Sequence, residues 1–277
     1  MRRHLNLLKA ALVNFLANGD MVLAGNMAFL GMLGVFPFII FLVTLSGLFG
    51  QSEIGTEAIQ FLFENLPNDI VFAIRGPIES IIAASSGGVL TVSVLFAIWT
   101  AASALEAGRE AILHSYRVDR RPPFWQRRLE SLGVILLAGL AGFTGMLIVI
   151  LGPAATLAAR AIVPTPDFVD NIWTWLRLGL TPSLLFLALL GLYLALSPRG
   201  AFVRKYHVPG AILALAVWIA AGAGMSFYLA NFANYDLTYG SLAGVVITQL
   251  FLYILSAGFI LGSELNVAYA RDYQAAG

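Results

Sequence analysis

Glu106, Arg109 and Glu110 follow directly on a charge-free stretch of sequence, and Glu264 follows directly on another. A charge at the edge of hydrocarbon persists only where it meets water or a partner, so such residues are candidates for function. Glu106 and Arg109, three apart, form a candidate cytoplasmic gate, and Glu264 is a third group able to pair with Arg109 in an inward-facing vestibule. Uncharged polar residues lie deeper in apolar sequence: Asn26, Thr100, Ser103, Asn231, Asn234 and Gln249. Groups of this kind bond across helices or line a wet path, and the first use is commoner. Pro37 removes a backbone donor within the first apolar stretch, which bends a helix and frees carbonyls. Asn26, Pro37, Asn231, Asn234, Gln249 and Glu264 are therefore the candidate cavity-lining residues.

Catalytic patterns are absent from the sequence. His4, His114 and His207 stand in three separate segments, where a hydrolytic metal site wants His and carboxylates clustered. No glycine loop with a following Lys cradles a phosphate, and no Gly-x-Ser-x-Gly elbow presents a nucleophile. There is no cysteine, hence no thiolate chemistry and no disulfide. The sequence is read as a non-enzyme with no cofactor and no metal.

The elements that must position these residues follow from composition. The chain has 277 residues, 59% hydrophobic and 11% charged, with net charge +1; soluble domains carry roughly 25% charged residues. So few charges cannot cover the surface of a soluble protein of this size. Six runs contain no Asp, Glu, Lys or Arg: Met21–Ser52, Ser80–Leu105, Ser131–Ala159, Leu178–Pro198, Tyr206–Tyr235 and Leu237–Ser263. A spanning helix needs about 20 predominantly apolar residues. The fold class expected is all-α, a polytopic transmembrane helical bundle in a single membrane domain. Its six spans lie near 22–50, 87–108, 131–158, 178–198, 207–233 and 239–263.

Orientation follows from basic residues, which are retained in the cytoplasm. Thirteen of the sixteen lie in the amino terminus, the second loop, the fourth loop and the tail, while the first loop is acidic (Glu53, Glu57, Glu64, Asp69, Glu79). Both ends are thus expected inside. Residues 1–20 form an amphipathic lead-in, with Leu5, Leu8, Leu12, Val13 and Leu16 opposite Arg2, Asn6, Lys9 and Asn14. This suits a helix in the headgroup region, and equally a solvated lead-in. Residues 51–86 form a periplasmic helical loop of two amphipathic helices joined at Pro67. Helices lying on the outer leaflet are preferred to a lid.

The second loop carries Arg117, Arg120, Arg121, Arg127 and Arg128 around Phe124 and Trp125. Setting topology is the plainer role for this cluster; contact with anionic lipid headgroups is the functional one. Nucleic acid is not an expected partner, because the nearby aromatics are best used at the membrane surface. Small residues four apart, Gly240 with Gly244 and Gly258 with Gly262, predict close helix contacts, within one chain or in a homo-oligomer.

Several motifs carry a resemblance. They are Phe36-Pro37, Tyr116-Arg117-Val118, Arg121-Pro122-Pro123-Phe124-Trp125 and Leu151-Gly152-Pro153. Towards the carboxyl end come Tyr228-Leu229-Ala230-Asn231-Phe232-Ala233-Asn234-Tyr235, Thr238-Tyr239-Gly240-Ser241-Leu242-Ala243-Gly244 and Leu261-Gly262-Ser263-Glu264-Leu265-Asn266. Over nearly its whole length the chain resembles the YihY/BrkB family of bacterial inner-membrane proteins, which once carried the label ribonuclease BN. It departs from the family pattern at Gln249, at Ser263 and at the second proline of the Arg121-Pro122-Pro123 motif. The resemblance implies six spans, the inner membrane, and roles in envelope integrity or in export of lipids or solutes. The function expected is a transporter or flippase-like protein moving a lipid or small solute, with membrane lipids as partners. The rival reading is a non-transporting scaffold that binds lipid or protein.

Overall fold

The computed structural model describes residues 2–49, 60, 87–118, 123–135, 137, 168–198, 206–231 and 243–276. The described residues form helices and no strand. In chain order these are α1 (Arg2–Ala17), α2 (Asp20–Phe49), α3 (Gly87–Tyr116), α4 (124–135), α5 (Phe168–Leu196), α6 (His207–Asn231) and α7 (Ala243–Ala276). Helices are what apolar surroundings demand, because each satisfies its own backbone donors and acceptors.

Among the described residues, His207–Leu229 and Gly244–Ala275 are long and apolar enough to cross a bilayer. A third candidate arises if α1 and the Asp20–Gly34 part of α2, bent by 75° at their junction, count as one broken span. The expected first-loop helices (51–86) lie outside the described residues, Gln60 excepted, as does most of the expected span 131–158. Several helices overrun the expected span limits. α3 continues through Glu106, Arg109 and Glu110 to Tyr116, α5 starts at Phe168 ahead of Asp170 and Arg177, and α7 runs on past Glu264 to Ala276. A charge ends a hydrophobic run without ending the hydrogen-bonded helix that carries it. α5 even contains Pro182, beside which the Ser183 hydroxyl donates to the Gly179 carbonyl at 2.7 Å.

The chain divides into two compact units. One is Met1–Ala28 with Leu105–Gly277, and the other is Phe29–Ala104. In the smaller unit Gly34 faces Thr100, where an added Cβ would find ordinary contact at 3.8 Å. Thr100 donates to the carbonyls of Phe96 and Ala97, and Ser103 to that of Trp99. Both hydroxyls are thus satisfied by their own helix, the local bond such residues make in apolar surroundings.

In the larger unit α6 packs along α7, α1 lies on α7, and α5 lies on α6. Two glycines make the α6–α7 approach close. A Cβ on Gly210 would collide with the Gly262 carbonyl and with Asn266, and one on Gly258 would meet Val217 at 2.7 Å. Gly262 has no room either, since Tyr193 and Gly210 press on it. Of the expected small-residue pairs, Gly258 with Gly262 thus serves packing within the chain, while Gly244 has open space around it. Several polar groups in this interior find backbone partners, while Asn266 Nδ2 and Ser263 Oγ are buried without one. The Tyr193 hydroxyl donates to the Phe259 carbonyl at 2.6 Å, Trp218 Nε1 to the Leu255 carbonyl at 2.9 Å, and the Gly210 amide to Asn266 Oδ1 at 2.7 Å. The last bond fills one of the amides that the first turn of α6 leaves without an intrahelical acceptor.

α1 buries Leu7, Ala11 and Phe15, a stripe four residues apart. Leu7 and Ala11 cluster with Leu265 of α7, and Phe15 joins the main core. The predicted apolar face, Leu5, Leu8, Leu12, Val13 and Leu16, stays exposed. The helix therefore has an inner apolar stripe for α7 and an outer one free for lipid. Ile212, Ile219, Phe227, Val246 and Leu250 are likewise exposed on α6 and α7, as expected of helices whose outer solvent is hydrocarbon. The chain's two ends meet, with Arg3 paired to Asp272 and His4 against Tyr269 at 2.5 Å.

Candidate functional site

Where α1 turns into α2, the end of α3 and the start of α4 enclose a cleft of about 410 Å³, the size of a small-molecule site. Its lining includes Asn18, Glu110, His114, Arg117 and Arg127 with the apolar Leu23, Leu113 and Val118. Two local devices shape it. Gly19 takes φ +78°, a left-handed conformation that costs glycine little, and so bends the chain between α1 and α2. At the end of α3 the Val118 amide donates to the Leu113 carbonyl at 3.1 Å and the Arg117 amide to the His114 carbonyl at 2.9 Å. This pair of bonds is a Schellman cap, whose left-handed position is normally glycine. Here it is Arg117, at φ 55°. A long cationic side chain in that conformation costs about 1 kcal/mol or more, a strain that points to a use for the side chain. The use on view is a guanidinium at the wall of the cleft.

Behind the cleft lie two buried carboxyls, Asp20 and Glu264, each 0% exposed. Asp20 Oδ1 meets His114 Nδ1 at 3.2 Å, and Asn18 Nδ2 donates to Glu264 Oε1 at 3.3 Å. Asn18, which holds Glu264, stands two residues before Asp20, so the two buried carboxyls are neighbours and act on each other electrostatically. Their remaining oxygens, Asp20 Oδ2 and Glu264 Oε2, are buried without a partner. Arg117 and Arg271 are the cations that act on Glu264, and Arg117 acts on Asp20 as well.

A second polar group joins α3 to α4. Arg109, 5% exposed, reaches Glu106 at 3.4 Å and Glu130 at 3.0 Å. Arg127 reaches Glu106 at 3.3 Å, and the Ser131 hydroxyl donates to Glu106 at 2.6 Å. Two guanidiniums and two carboxylates thus balance in a compact network.

Several residues singled out in the sequence are brought together here. Glu106 and Arg109 do pair, but the second carboxylate on Arg109 is Glu130 and not Glu264, which turns instead to Asn18 and Asp20. Arg127 belongs to the ion-pair network, Arg117 lines the cleft, and Arg128 is half-buried on α4. Phe124 and Trp125 stand exposed, edge to face at 5.3 Å, as interfacial aromatics do. Two other candidates are not among the residues that line the cleft. Asn26 is exposed, and Gln249 is half-buried on α7 away from the lining. Pro37 and Asn231 lie within α2 and α6, with side chains outside the described residues, where Asn234, Arg120 and Arg121 also fall. Asp20, Asn18 and Arg271 were not singled out, and His114, solitary in the sequence, has Asp20 beside it. One signal marks Asp20: it immediately precedes a charge-free run, just as Glu106 and Glu264 immediately follow theirs. Among the described residues no three His, Asp or Glu side chains are grouped to hold a metal ion.

A family model described as "Virulence factor BrkB" matches residues 11–277. A ribonuclease-like protein of Bacillus subtilis, YfkH, is 26% identical over 243 residues, covering 88% of this chain and 87% of its own. A UPF0761 membrane protein of Aliivibrio salmonicida is 25% identical over 262 residues, covering 91% and 79%. One from Stenotrophomonas maltophilia is 25% identical over 214 residues, covering 76% of this chain and 48% of its own length. No solved structure matches.

Proposed function

We propose that this chain, which belongs to the BrkB virulence-factor family of membrane proteins, is a transporter or flippase-like protein of the bacterial inner membrane. It would move a lipid or small solute that carries an anionic group. One observation carries the reading: a polar cleft, walled by Arg117, Arg127, His114 and Asn18, is set into helices whose outer faces are apolar. The Arg117 guanidinium beside a half-exposed imidazole suits phosphate or carboxylate recognition, since it presents directed donors and positive charge together. Lipid headgroups and free solutes share that chemistry. In this reading the chain makes six spans with both ends cytoplasmic. The pairing of Arg3 with Asp272 supports placing the two ends on one side, and the basic second loop supports placing the cleft inside.

The ribonuclease-like name belongs to the Bacillus relative, and we carry no reaction over from it. The scaffold reading rests on the α5–α6–α7 interior, where Tyr193, Trp218 and Asn266 bond to neighbouring helices. Reconstituted flux separates the two. Liposomes holding purified protein should move a labelled anionic phospholipid or an anionic member of a solute panel, with Arg117→Gly at least tenfold slower. That substitution restores the usual residue at the left-handed cap, so its loss of flux would not come from misfolding. Absence of movement in the unaltered protein, with or without an ion gradient, would sink the transporter reading and leave the scaffold.

A further inference from the structure

Asp20 and Glu264 come from α2 and α7 and are separated by most of the chain, yet Asn18 brings Glu264 beside the start of α2, where neither carboxyl is exposed. An ionised carboxylate only accepts hydrogen bonds, so two of them in contact are bound together only when one carries a proton. Each already uses one oxygen, Asp20 towards His114 and Glu264 towards Asn18, and each keeps a second oxygen buried with no donor. A proton held between the groups supplies that missing donor. It also removes the repulsion of two like charges in a low-dielectric site, where such pairs titrate as one unit.

We propose that Asp20 and Glu264 form a proton-binding carboxyl dyad that exchanges with the cleft through His114. The surroundings fit a single stored proton. From α3 the dyad faces His114 and Arg117, from α1 the uncharged Asn14 and Asn18, and from α7 Arg271. His114 is placed to relay: its side chain is 46% exposed and lines the cleft, while Nδ1 touches Asp20. An imidazole can take a proton at one ring nitrogen and release one at the other, so it can pass a proton inward. This site does not depend on the transport reading. If that reading also holds, the dyad is where a proton gradient couples to movement.

The test is infrared spectroscopy of the purified protein in lipid nanodiscs. Asp20→Asn and Glu264→Gln, which keep side-chain shape, are compared with the unaltered chain. At neutral pH the unaltered protein should show one protonated-carboxyl band that shifts in heavy water, and each substitution should abolish it. His114→Gln should keep the band and slow its hydrogen–deuterium exchange at least tenfold. Sodium in place of potassium should leave the band unchanged. If the variants fail to fold, carbon-13 labelling of aspartate and then glutamate carboxyls in the unaltered chain decides, since the band must shift with one label or both. A missing band, a band untouched by either substitution, or its removal by sodium at constant pH would overturn the proposal, the last by making the pair a metal-cation site. Flux is measured separately, so failure of transport and failure of the dyad are distinguishable.

Discussion

The α5–α6–α7 interior and the Asp20–Glu264 cleft are both rich in polar atoms and differ in charge: the interior leaves neutral groups such as Asn266 Nδ2 and Ser263 Oγ without a partner, whereas the cleft leaves carboxyl oxygens. In the interior the Tyr193 hydroxyl, the Trp218 indole and the Asn266 amide oxygen each meet a backbone group of another helix. Glycines at 210, 258 and 262 bring the helices close enough for those bonds. At the cleft, buried oxygens are left without donors and an arginine is held in a strained backbone conformation. Burying an unpaired carboxyl oxygen costs more than any single bond in the interior returns. An arrangement kept at such a cost is better explained by a ligand or proton than by stability, and the unpartnered atoms of the interior, being uncharged, cost less to bury.

The comparison can be broken by substitution, most strongly where charges are buried. Arg109→Ala strips both Glu106 and Glu130 of their shared partner, and should destabilise the protein by about 3 kcal/mol. Thermal unfolding in mild detergent measures this, and an unchanged midpoint would show that the network has no structural role. Gly210→Ala comes next. Its methyl group collides with the Gly262 carbonyl on the facing helix, so roughly 2–3 kcal/mol of overpacking is expected in the same assay. Tyr193→Phe removes one hydrogen bond and keeps the ring stacked on Phe259 at 4.7 Å, for a loss of about 1 kcal/mol. Arg117→Gly sharpens the contrast from the other side: relief of the left-handed strain should leave stability unchanged or raised by up to about 1 kcal/mol. A clear destabilisation there would make Arg117 a structural residue and remove the argument from strain.

Part of the site was legible residue by residue. Glu106 with Arg109 followed from their spacing on one helix, and Glu264 from its place at the edge of a charge-free run. Depth in a run, by contrast, says nothing about which face of a helix looks inward. Asn26 faces out, while Asn266, two residues beyond Glu264, is fully buried and bonded. α1 shows the same limit. Its hydrophobic pattern announced an amphipathic helix, yet the stripe that packs on α7 is Leu7, Ala11 and Phe15 and not the stripe with the larger aliphatic side chains.

By itself the sequence determined that this protein is helical and membrane-embedded, because the transfer of long uncharged segments from water to hydrocarbon is a sum over residues and needs no knowledge of their neighbours. Family membership was likewise written in linear motifs. Only the tertiary structure decided that Asp20 and Glu264 are buried side by side, that Glu130 completes the environment of Arg109, and that Arg117 is a strained cap beside a cleft. Those facts depend on which helix ends and faces come together once the chain has folded, which no single run of sequence specifies.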